Sequence, residues 1–286
     1  MKGRVIKSIS NKWTVDINNK LIECSCVGKF KYLNITPKVG DIVEVEEDST
    51  LITKIYERKN ELIRPIISNV DYCIVLTSCK EPDFSSFLLD KMLTIISYNN
   101  ITPVICFTKY DLLKKTDEID YYIDYYKSIG YDVFVNTELD KIKELTNNKI
   151  SVLTGQTGVG KSSLLNNLGN NLNLPTNEIS KALGRGKHTT RHVELLNIDG
   201  SLIADTPGFS SVDFIGMTAF DIKDNFVEIF KYGYNCKYKD CFHIKEDGCY
   251  VKKMLEEGVI AKTRYENYKK IIESIRGRKW KYLFQY

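Results

Sequence analysis

Short stretches of alternating apolar and polar residues occupy the first sixty or so positions, separated by Asn-rich or Pro- and Gly-containing breaks. A period of two places every second side chain on the same face, as in a half-buried β-strand. The pattern predicts five strands, at residues 3–9, 13–17, 21–26, 40–45 and 51–56. Five short strands in so small a segment are typical of an OB-fold barrel, although an SH3-like barrel would give a similar pattern.

The pattern changes after Arg64-Pro65, where apolar strand-like runs begin to alternate with helical periodicity. This alternation is typical of an α/β unit with a mostly parallel sheet. A β-hairpin closed at Asp199-Gly200 is expected late in this unit, and the chain turns helical after about Phe220. Strands are predicted at 72–76, 101–107, 131–135, 150–153, 193–198 and 201–204, and helices at 87–97 and 117–129.

We therefore expect a multidomain protein. Residues 1–64 would form an all-β, OB-fold-like barrel, residues 65–219 a central α/β domain, and residues 220–286 a C-terminal helical domain. Of the 286 residues, 43% are hydrophobic and 27% are charged, as in ordinary soluble globular proteins. No apolar run reaches the eighteen or so residues of a membrane span, and the first residues lack the apolar core of a signal peptide. We expect a cytoplasmic protein without membrane contact.

The net charge of +4 is unevenly distributed along the chain. Residues 252–286 carry ten Lys or Arg against four Glu, so the rest of the chain is slightly negative. A basic end on a near-neutral body is either a nucleic-acid contact or a solvated helix face, and charge alone does not decide between them.

A complete phosphate-binding loop lies near the middle of the chain, between an apolar strand and a helical pattern. In such a loop, backbone N–H groups cradle phosphate oxygens. Lys161 would reach the β- and γ-phosphates as a catalytic and binding group, and the Ser162 hydroxyl would bind Mg²⁺. The predicted nucleotide-binding residues here are Gly155, Gln156, Thr157, Gly158, Val159, Gly160, Lys161, Ser162 and Ser163.

Asp205-Thr206-Pro207-Gly208 follows a short apolar strand about fifty residues after the phosphate loop begins. An Asp at such a strand end can hold the Mg²⁺ shell, and the Gly208 N–H can face the γ-phosphate. The next residue is Phe209, where many GTPases have the Gln that orients the attacking water. Another group must therefore orient water if the chain hydrolyses its nucleotide.

Residues 184–192, between these two motifs, contain two of the three histidines and three basic residues. A GTPase switch belongs at this position, and its Thr coordinates Mg²⁺ and senses the γ-phosphate. Thr190 is the predicted magnesium ligand, with Thr189 as the alternative. His188 could orient or deprotonate the attacking water, or it could only contact phosphate or RNA.

Thr108-Lys109-Tyr110-Asp111 is a variant of the Asn-Lys-x-Asp guanine clamp and ends a predicted strand. The Asp111 carboxylate can accept from guanine N1–H and the exocyclic amine, a pattern that adenine lacks. The Lys109 stem would cover the base. An unpaired buried carboxylate costs roughly 1–3 kcal/mol or more, so the pocket should reject ATP. Thr108 replaces the Asn of the motif, so the tethering amide is missing.

Three cysteines and a histidine lie within fourteen residues of the C-terminal domain. Thiolate and imidazole ligands in this number suit tetrahedral Zn²⁺, and four protein ligands leave no open position for catalysis. We predict one structural zinc ion bound by Cys236, Cys241, His243 and Cys249. The remaining cysteines are expected to be free and to act as small buried hydrophobes; they are Cys24, Cys26, Cys73, Cys79 and Cys106.

The guanine motif precedes the phosphate loop by about forty residues, whereas ordinary GTPases have the opposite order. With this rotated order and the Cys/His set, the chain resembles the RsgA family of bacterial, circularly permuted GTPases. The resemblance covers essentially the whole length and is carried by the motifs quoted above together with residues 184–194. Residues 135–138 stand where the family has a base-binding loop of Ser-Ala type, and their match is poor.

The resemblance implies an N-terminal OB-fold, a circularly permuted GTPase domain and a zinc-binding tail. It also implies GTP hydrolysis to GDP and phosphate with Mg²⁺, stimulated by the 30S ribosomal subunit during late maturation of that subunit. We expect the barrel and the basic tail to bind rRNA under control of the GTP state, and the protein to be monomeric. A nucleotide-gated RNA-binding module with incidental hydrolysis is the alternative, and Phe209 permits it. A third reading, an ATPase, is opposed by Asp111.

Overall fold

Five strands at the amino end close into a barrel in the computed structural model of the protein, which describes residues 1–33, 35–62, 65–169, 193–205 and 214–283. The barrel elements are β1 (Lys2–Ile9), β2 (Lys12–Ile17), β3 (Lys20–Cys26), α1 (Gly28–Tyr32), β4 (Ile42–Val45) and β5 (Leu51–Ile55). Their order is β1-β2-β3-β5-β4, with β1 also paired to β4 and with β3 parallel to β5. This is the OB order, so the structure decides between the two barrel types that the sequence left open.

The predicted alternation fills the barrel interior. Val5, Val15, Val43 and Ile52 are fully buried, and Trp13 donates its indole N–H to the Pro37 carbonyl over 2.9 Å. Every second residue of β2 and β4 is buried, and β1, β3 and β5 each add a buried residue to the same apolar core. A short strand pair, β6 (Glu61–Leu62) and β7 (Ile67–Ser68), follows the barrel.

A six-stranded sheet forms the centre of the molecule. Its strands are β8 (Tyr72–Ser78), β9 (Thr102–Thr108), β10 (Asp132–Val135), β11 (Ile150–Gly155), β12 (Leu195–Ile198) and β13 (Ser201–Asp205). The order is β10-β9-β8-β11-β13-β12, and only β12 runs antiparallel, as the hairpin partner of β13. The mostly parallel sheet and the hairpin at Asp199-Gly200 confirm the sequence-based expectation.

Helices cover this sheet, as the crossovers of a parallel sheet require. They are α2 (Ser86–Tyr98), α3 (Asp117–Ser128), α4 (Leu139–Thr146) and α5 (Lys161–Leu168). The sequence predicted α2 and α3 to within one residue at each end. It did not predict α1 or α4, because both are short and α4 buries little more than Ile142 and Thr146.

The C-terminal region is helical. It contains α6 (Ala219–Asp224), α7 (Val227–Gly233), α8 (Tyr250–Glu256) and α9 (Lys262–Leu283). A capping box starts α6, because the Thr218 hydroxyl accepts from the Asp221 N–H while the Asp221 carboxylate accepts from the Thr218 N–H. These helices enclose a second apolar core with fully buried Ile222, Phe226 and Tyr268.

The barrel also contacts the far edge of the central sheet. Lys7 of β1 forms an isolated antiparallel bridge with Glu194, and its Nζ lies 2.8 Å from the Glu194 carboxylate. The proposed domain boundary at residue 64 lies outside the described residues, and the boundary at residue 219 coincides with the start of α6. Both boundaries stay proposals.

No helix within the described ranges is long and apolar enough to cross a bilayer. All eight cysteines are free thiols. Of the five outside the Cys/His set, Cys24, Cys73 and Cys106 are buried as expected, whereas Cys26 and Cys79 are only half-buried.

Candidate nucleotide and metal sites

The predicted nucleotide-binding motifs converge at one edge of the central sheet. Carboxyl ends of parallel strands point the same way, and ligands of such sheets bind outside these ends. Thr108 ends β9 opposite Ser78 of β8, and Gly155 ends β11 opposite Leu76. Asp205 ends β13 opposite Leu153 of β11. Motifs that are far apart in sequence and in rotated order therefore meet along one edge.

The phosphate loop has backbone geometry that only glycine adopts easily. Gly158 and Gly160 have φ values of +81° and +96°, and Gly160 directly precedes α5. A Cβ on Gly155 would lie 2.4 Å from the Leu76 carbonyl oxygen, so β11 and β8 could not approach so closely there with any other residue. The Lys161 ammonium donates to the carbonyls of Gly155 and Gln156 over 2.9 and 2.8 Å. Oxygens of a bound phosphate would therefore compete with these two carbonyls for the Lys161 ammonium.

Thr108 tethers the guanine motif to the phosphate loop. Its hydroxyl donates to the Val159 carbonyl over 2.7 Å and lies 3.3 Å from the Thr77 carbonyl. The side chain is 4% exposed, so this contact is sheltered from water. The tether that the replacement of Asn was expected to remove is therefore present, made by a hydroxyl instead of an amide.

The Asp111 carboxylate is exposed and already has a partner. Asn136 Nδ2 donates to Asp111 Oδ1 over 2.7 Å, and Asn136 Oδ1 accepts from the Tyr110 N–H over 3.1 Å. Asn136 lies just after β10, in the segment whose match to a base-binding loop was poor. The structure thus joins that segment to the guanine clamp through one amide side chain, which no motif would have singled out.

Lys109 contacts a segment that is distant in sequence. Its backbone is left-handed with φ +59°, and its Nζ donates to the Glu81 carbonyl in the loop between β8 and α2. The lysine thereby links the guanine motif to a third segment of the edge.

The structure describes the remaining predicted groups only in part. Ser162 and Ser163 lie in the first turn of α5 beside the loop. The backbone of Asp205 ends β13, but its side chain lies outside the described part of the structure. Also outside the described residues are His188, Thr189, Thr190, Gly208 and Phe209.

The four predicted metal ligands converge in the C-terminal domain. Their donor atoms all lie within 4.8 Å of one another. Cys249 Sγ is 3.8 Å from the sulfurs of both Cys236 and Cys241, and His243 Nδ1 is 3.3–3.4 Å from Cys249 and Cys236. Tetrahedral zinc, with bonds of about 2.3 Å to sulfur and about 2.0 Å to nitrogen, requires S–S and S–N spacings near 3.8 and 3.5 Å. The donor set therefore fits a zinc ion.

Burial sets the protonation of these ligands. It raises the pKa of the Cys241 thiol to about 12 and lowers the pKa of His243 to about 4. Neutral imidazole is the form that binds a metal, so His243 is in that form at neutral pH. The thiol needs the metal to lose its proton, because metals bind the thiolate.

A shell of hydrogen bonds fixes the segment that carries His243. The Glu246 carboxylate accepts from the N–H groups of Phe242, Ile244 and Lys245 over 2.8–2.9 Å, and these bonds help to lower its pKa against the effect of burial. Tyr265 of α9 donates its hydroxyl to the His243 carbonyl over 2.6 Å. Such outer contacts orient metal ligands, and the spacing motif gave no sign of them.

Comparison with known proteins decides the family. Residues 2–52 match the RsgA N-terminal domain and residues 55–215 match the RsgA GTPase. The chain belongs to the RsgA GTPase family. A small ribosomal subunit biogenesis GTPase RsgA of Bacillus cereus is 45% identical over 98% of this chain and 99% of its own. The Streptococcus pneumoniae protein of the same description is 44% identical over 99% of this chain and 97% of its own.

Two solved structures share the architecture of this chain. YloQ, described as a circularly permuted GTPase, is 37% identical with a TM-score of 0.83, over 97% of this chain and 95% of its own. YjeQ from Thermotoga maritima is 32% identical with a TM-score of 0.84, over 96% of this chain and 98% of its own. This RsgA family member is accordingly a GTP hydrolase with a circularly permuted GTPase domain, as the motif order indicated.

Proposed function

We propose that this GTPase acts in the late maturation of the small ribosomal subunit, that the 30S particle accelerates its hydrolysis of GTP, and that the GTP state controls rRNA binding. The observation that carries the proposal is the assembly of a guanine clamp and a phosphate loop at one sheet edge in a chain of the RsgA family. Curated relatives that match almost its full length are described as small ribosomal subunit biogenesis GTPases.

The nucleotide-binding residues have separate roles in this proposal. Asp111 and Lys109 recognise and cover guanine, and residues 155–163 bind the phosphates. Lys161, held over the loop by two carbonyls, moves onto the β- and γ-phosphate oxygens. Ser162, Thr190 and Asp205 would hold Mg²⁺, which neutralises the charge that develops on the phosphates. The Gly208 N–H would face the γ-phosphate, and His188 would orient the attacking water, since Phe209 stands where many GTPases have a Gln.

The Cys/His cluster is proposed to hold one structural zinc ion. Four protein ligands complete its coordination, and three of them are buried. Zinc would then organise the segment between α7 and α8. Tyr265 and Tyr268 of α9 donate their hydroxyls to two carbonyls of this segment, those of His243 and Phe242. Its loss should loosen the C-terminal domain while leaving the phosphate loop folded.

The rRNA contacts are proposed on the barrel and on the basic C-terminal end. OB barrels bind oligonucleotides across a strand face. On this barrel, the amines of Lys2 and Lys54 lie 4.7 and 4.6 Å from the Tyr56 ring centroid, which combines a stacking surface with positive charge. The basic end would add salt-sensitive phosphate contacts. We expect the free protein to be a monomer in the cytoplasm.

GTP turnover with and without purified 30S particles tests the function directly. We expect 30S to accelerate phosphate release and an equal amount of 50S to leave it unchanged. If 30S gave no acceleration while still binding the GTP form more tightly than the GDP form, the alternative of a nucleotide-gated RNA-binding module would stand instead. Tighter binding of ATP than of GTP would refute the guanine assignment.

A further inference from the structure

Helix α2 is shared between the GTPase domain and the C-terminal domain. One face, with Leu89, Leu93 and Ile96, packs into the core beneath the central sheet. Ile95, on the other side, packs in the C-terminal core beside Phe214. Any force that moves α2 therefore acts on both domains.

A buried ionic network fixes α2 to the C-terminal domain. Asp90 of α2 is fully buried, and Arg264 of α9 and Glu228 of α7 are 1% and 2% exposed. Arg264 Nη1 lies 2.5 Å from Asp90 Oδ1, and Arg264 Nε lies 2.7 Å from Glu228 Oε1. Tyr126 of α3 donates its hydroxyl to Asp90 Oδ1 over 2.5 Å. Buried charges are costly unless they are fully paired, so a shift of α2 that broke these contacts would be strongly disfavoured.

Asn267, one turn after Arg264, extends the network to the start of α2. Its Nδ2 donates to Asp90 Oδ2 over 2.7 Å and to Ser86 Oγ over 3.1 Å. Ser86 is the first residue of α2. The side chain of Asn267 is 5% exposed, so water does not readily replace these bonds. A residue of the C-terminal domain thus holds the first turn of α2 through Ser86 and the next turn through Asp90.

That first turn borders the nucleotide edge. Ser85 and Leu88, together with Thr77 of β8 and Gln156 of the phosphate loop, enclose a cavity of only about 10 Å³. A space of this size holds at most one water, so the turn and the loop line the same small cavity. The loop that leads into α2 is also bound to the guanine motif, through the Cys79 N–H to the Thr108 carbonyl at 3.0 Å and through Lys109 to the Glu81 carbonyl.

We propose that Asn267 is a positioning residue of the guanine site: by holding Ser86 and Asp90, it fixes α2 and with it the loop that supports Lys109 and the phosphate loop. This inference rests on the guanine clamp proposed above. Guanine-nucleotide affinity then depends on how the C-terminal domain docks. Because such coupling is reciprocal, bound nucleotide stabilises that docking by the same free energy.

The test uses the full-length protein with its zinc and compares Asn267→Leu with Thr263→Val, an exposed polar-to-apolar change on the same helix. Calorimetry should show that Asn267→Leu binds GDP about fivefold more weakly than the control. This change corresponds to the net free energy of roughly one hydrogen bond. Turnover at saturating GTP and zinc content should match the control. Ser86→Ala, which keeps the ion pairs intact, should weaken GDP binding about twofold, and it decides the question if Asn267→Leu fails to fold.

A second readout separates coupling from simple stabilisation. In the wild type, GDP should slow hydrogen exchange of the α9 backbone amides, and this protection should disappear in Asn267→Leu. If both variants bind GDP like Thr263→Val and GDP does not protect α9, the network is only structural and the proposal is wrong. Asp111→Ala tests the guanine assignment separately from the coupling. If Asp111→Ala left GTP affinity unchanged, both the guanine assignment and this inference would be wrong. If Asp111→Ala weakened GTP binding and the Asn267 and Ser86 variants did not weaken GDP binding, only the coupling would be wrong.

Discussion

In the Cys/His cluster three of the four predicted ligands are buried and most donor pairs have tetrahedral spacing, whereas several predicted nucleotide-binding groups are exposed and contact other protein groups. His243 and Cys241 are 2% and 3% exposed. Asp111 and Thr157, at the nucleotide edge, are exposed. A closed set of four ligands suits a metal that stays bound, and an open edge suits a ligand that exchanges during each catalytic cycle.

The two regions also differ in what their polar groups contact when no ligand is bound. At the nucleotide edge Lys161 has two carbonyl partners and Asp111 has Asn136, so charged groups are paired before GTP arrives. In the cluster the thiols contact one another and the His243 ring, and burial raises the pKa of Cys241. Removing the ligand should therefore cost fold stability in the cluster, and removing a protein group should cost affinity at the edge.

The largest effect is expected from Cys241→Ser. Metal binding to a small structural site is folding free energy, so loss of one ligand should lower the stability of the C-terminal domain by at least about 3 kcal/mol. Elemental analysis should find the zinc absent, and circular dichroism should find an earlier melting transition. Cys26→Ser, a half-buried thiol of the barrel, is the control. One equivalent of tightly held zinc in Cys241→Ser would overturn the ligand set.

Lys161→Ala should act the other way, on affinity and not on folding. Loss of a charged donor to the phosphates should weaken GTP binding about a hundredfold, which corresponds to roughly 3 kcal/mol. The melting temperature should change less than the affinity for GTP, because Lys161 is only half-buried and water can replace its carbonyl contacts in the free protein. Calorimetry checks this against Lys149→Ala, an exposed lysine just before β11. Wild-type GTP affinity in Lys161→Ala would remove the loop from the nucleotide site.

Much of this contrast was predictable, because each region contains a short sequence motif. Glycines at fixed spacing before Lys161, and Cys and His within fourteen residues, are constrained by the chemistry of one ligand. The barrel strands were predictable because alternation reports burial directly. The choice of OB over SH3-like pairing was not, since it depends on the parallel contact of Ser25 and Cys26 with β5.

Contacts between distant segments could not be predicted. Asn267 and Asp90 are 177 positions apart, and neither belongs to a motif. The sequence indicated only that the tethering amide is missing at Thr108, because a motif records residue identity and not the distance to Val159. A hydroxyl within 2.7 Å of that carbonyl takes the place of the amide.

Thr108→Val tests whether this tether belongs to the nucleotide edge as argued. The change keeps the shape but leaves the buried Val159 carbonyl without its donor, which costs about 1–3 kcal/mol. If half of this free energy is lost from GDP binding, calorimetry should show GDP affinity roughly three- to tenfold weaker than in the wild type. Thr108→Ser keeps the hydroxyl and should bind GDP like the wild type. Equal affinity in the Val and Ser variants would mean that the tether does not serve the nucleotide.

The smallest effect is expected from Asn136→Ala, because Asp111 is exposed and water can replace the amide. GDP affinity should fall by about threefold, in the range of a single solvent-accessible hydrogen bond. Asn136→Asp sharpens the test, since it places a second carboxylate beside Asp111 and adds repulsion that salt should screen. We expect its loss of affinity to exceed that of Asn136→Ala at low salt and to approach it at high salt. A salt-independent difference between the two variants would show that Asn136 acts through backbone geometry, by its 3.1 Å bond to the Tyr110 N–H, and not through the charge of Asp111.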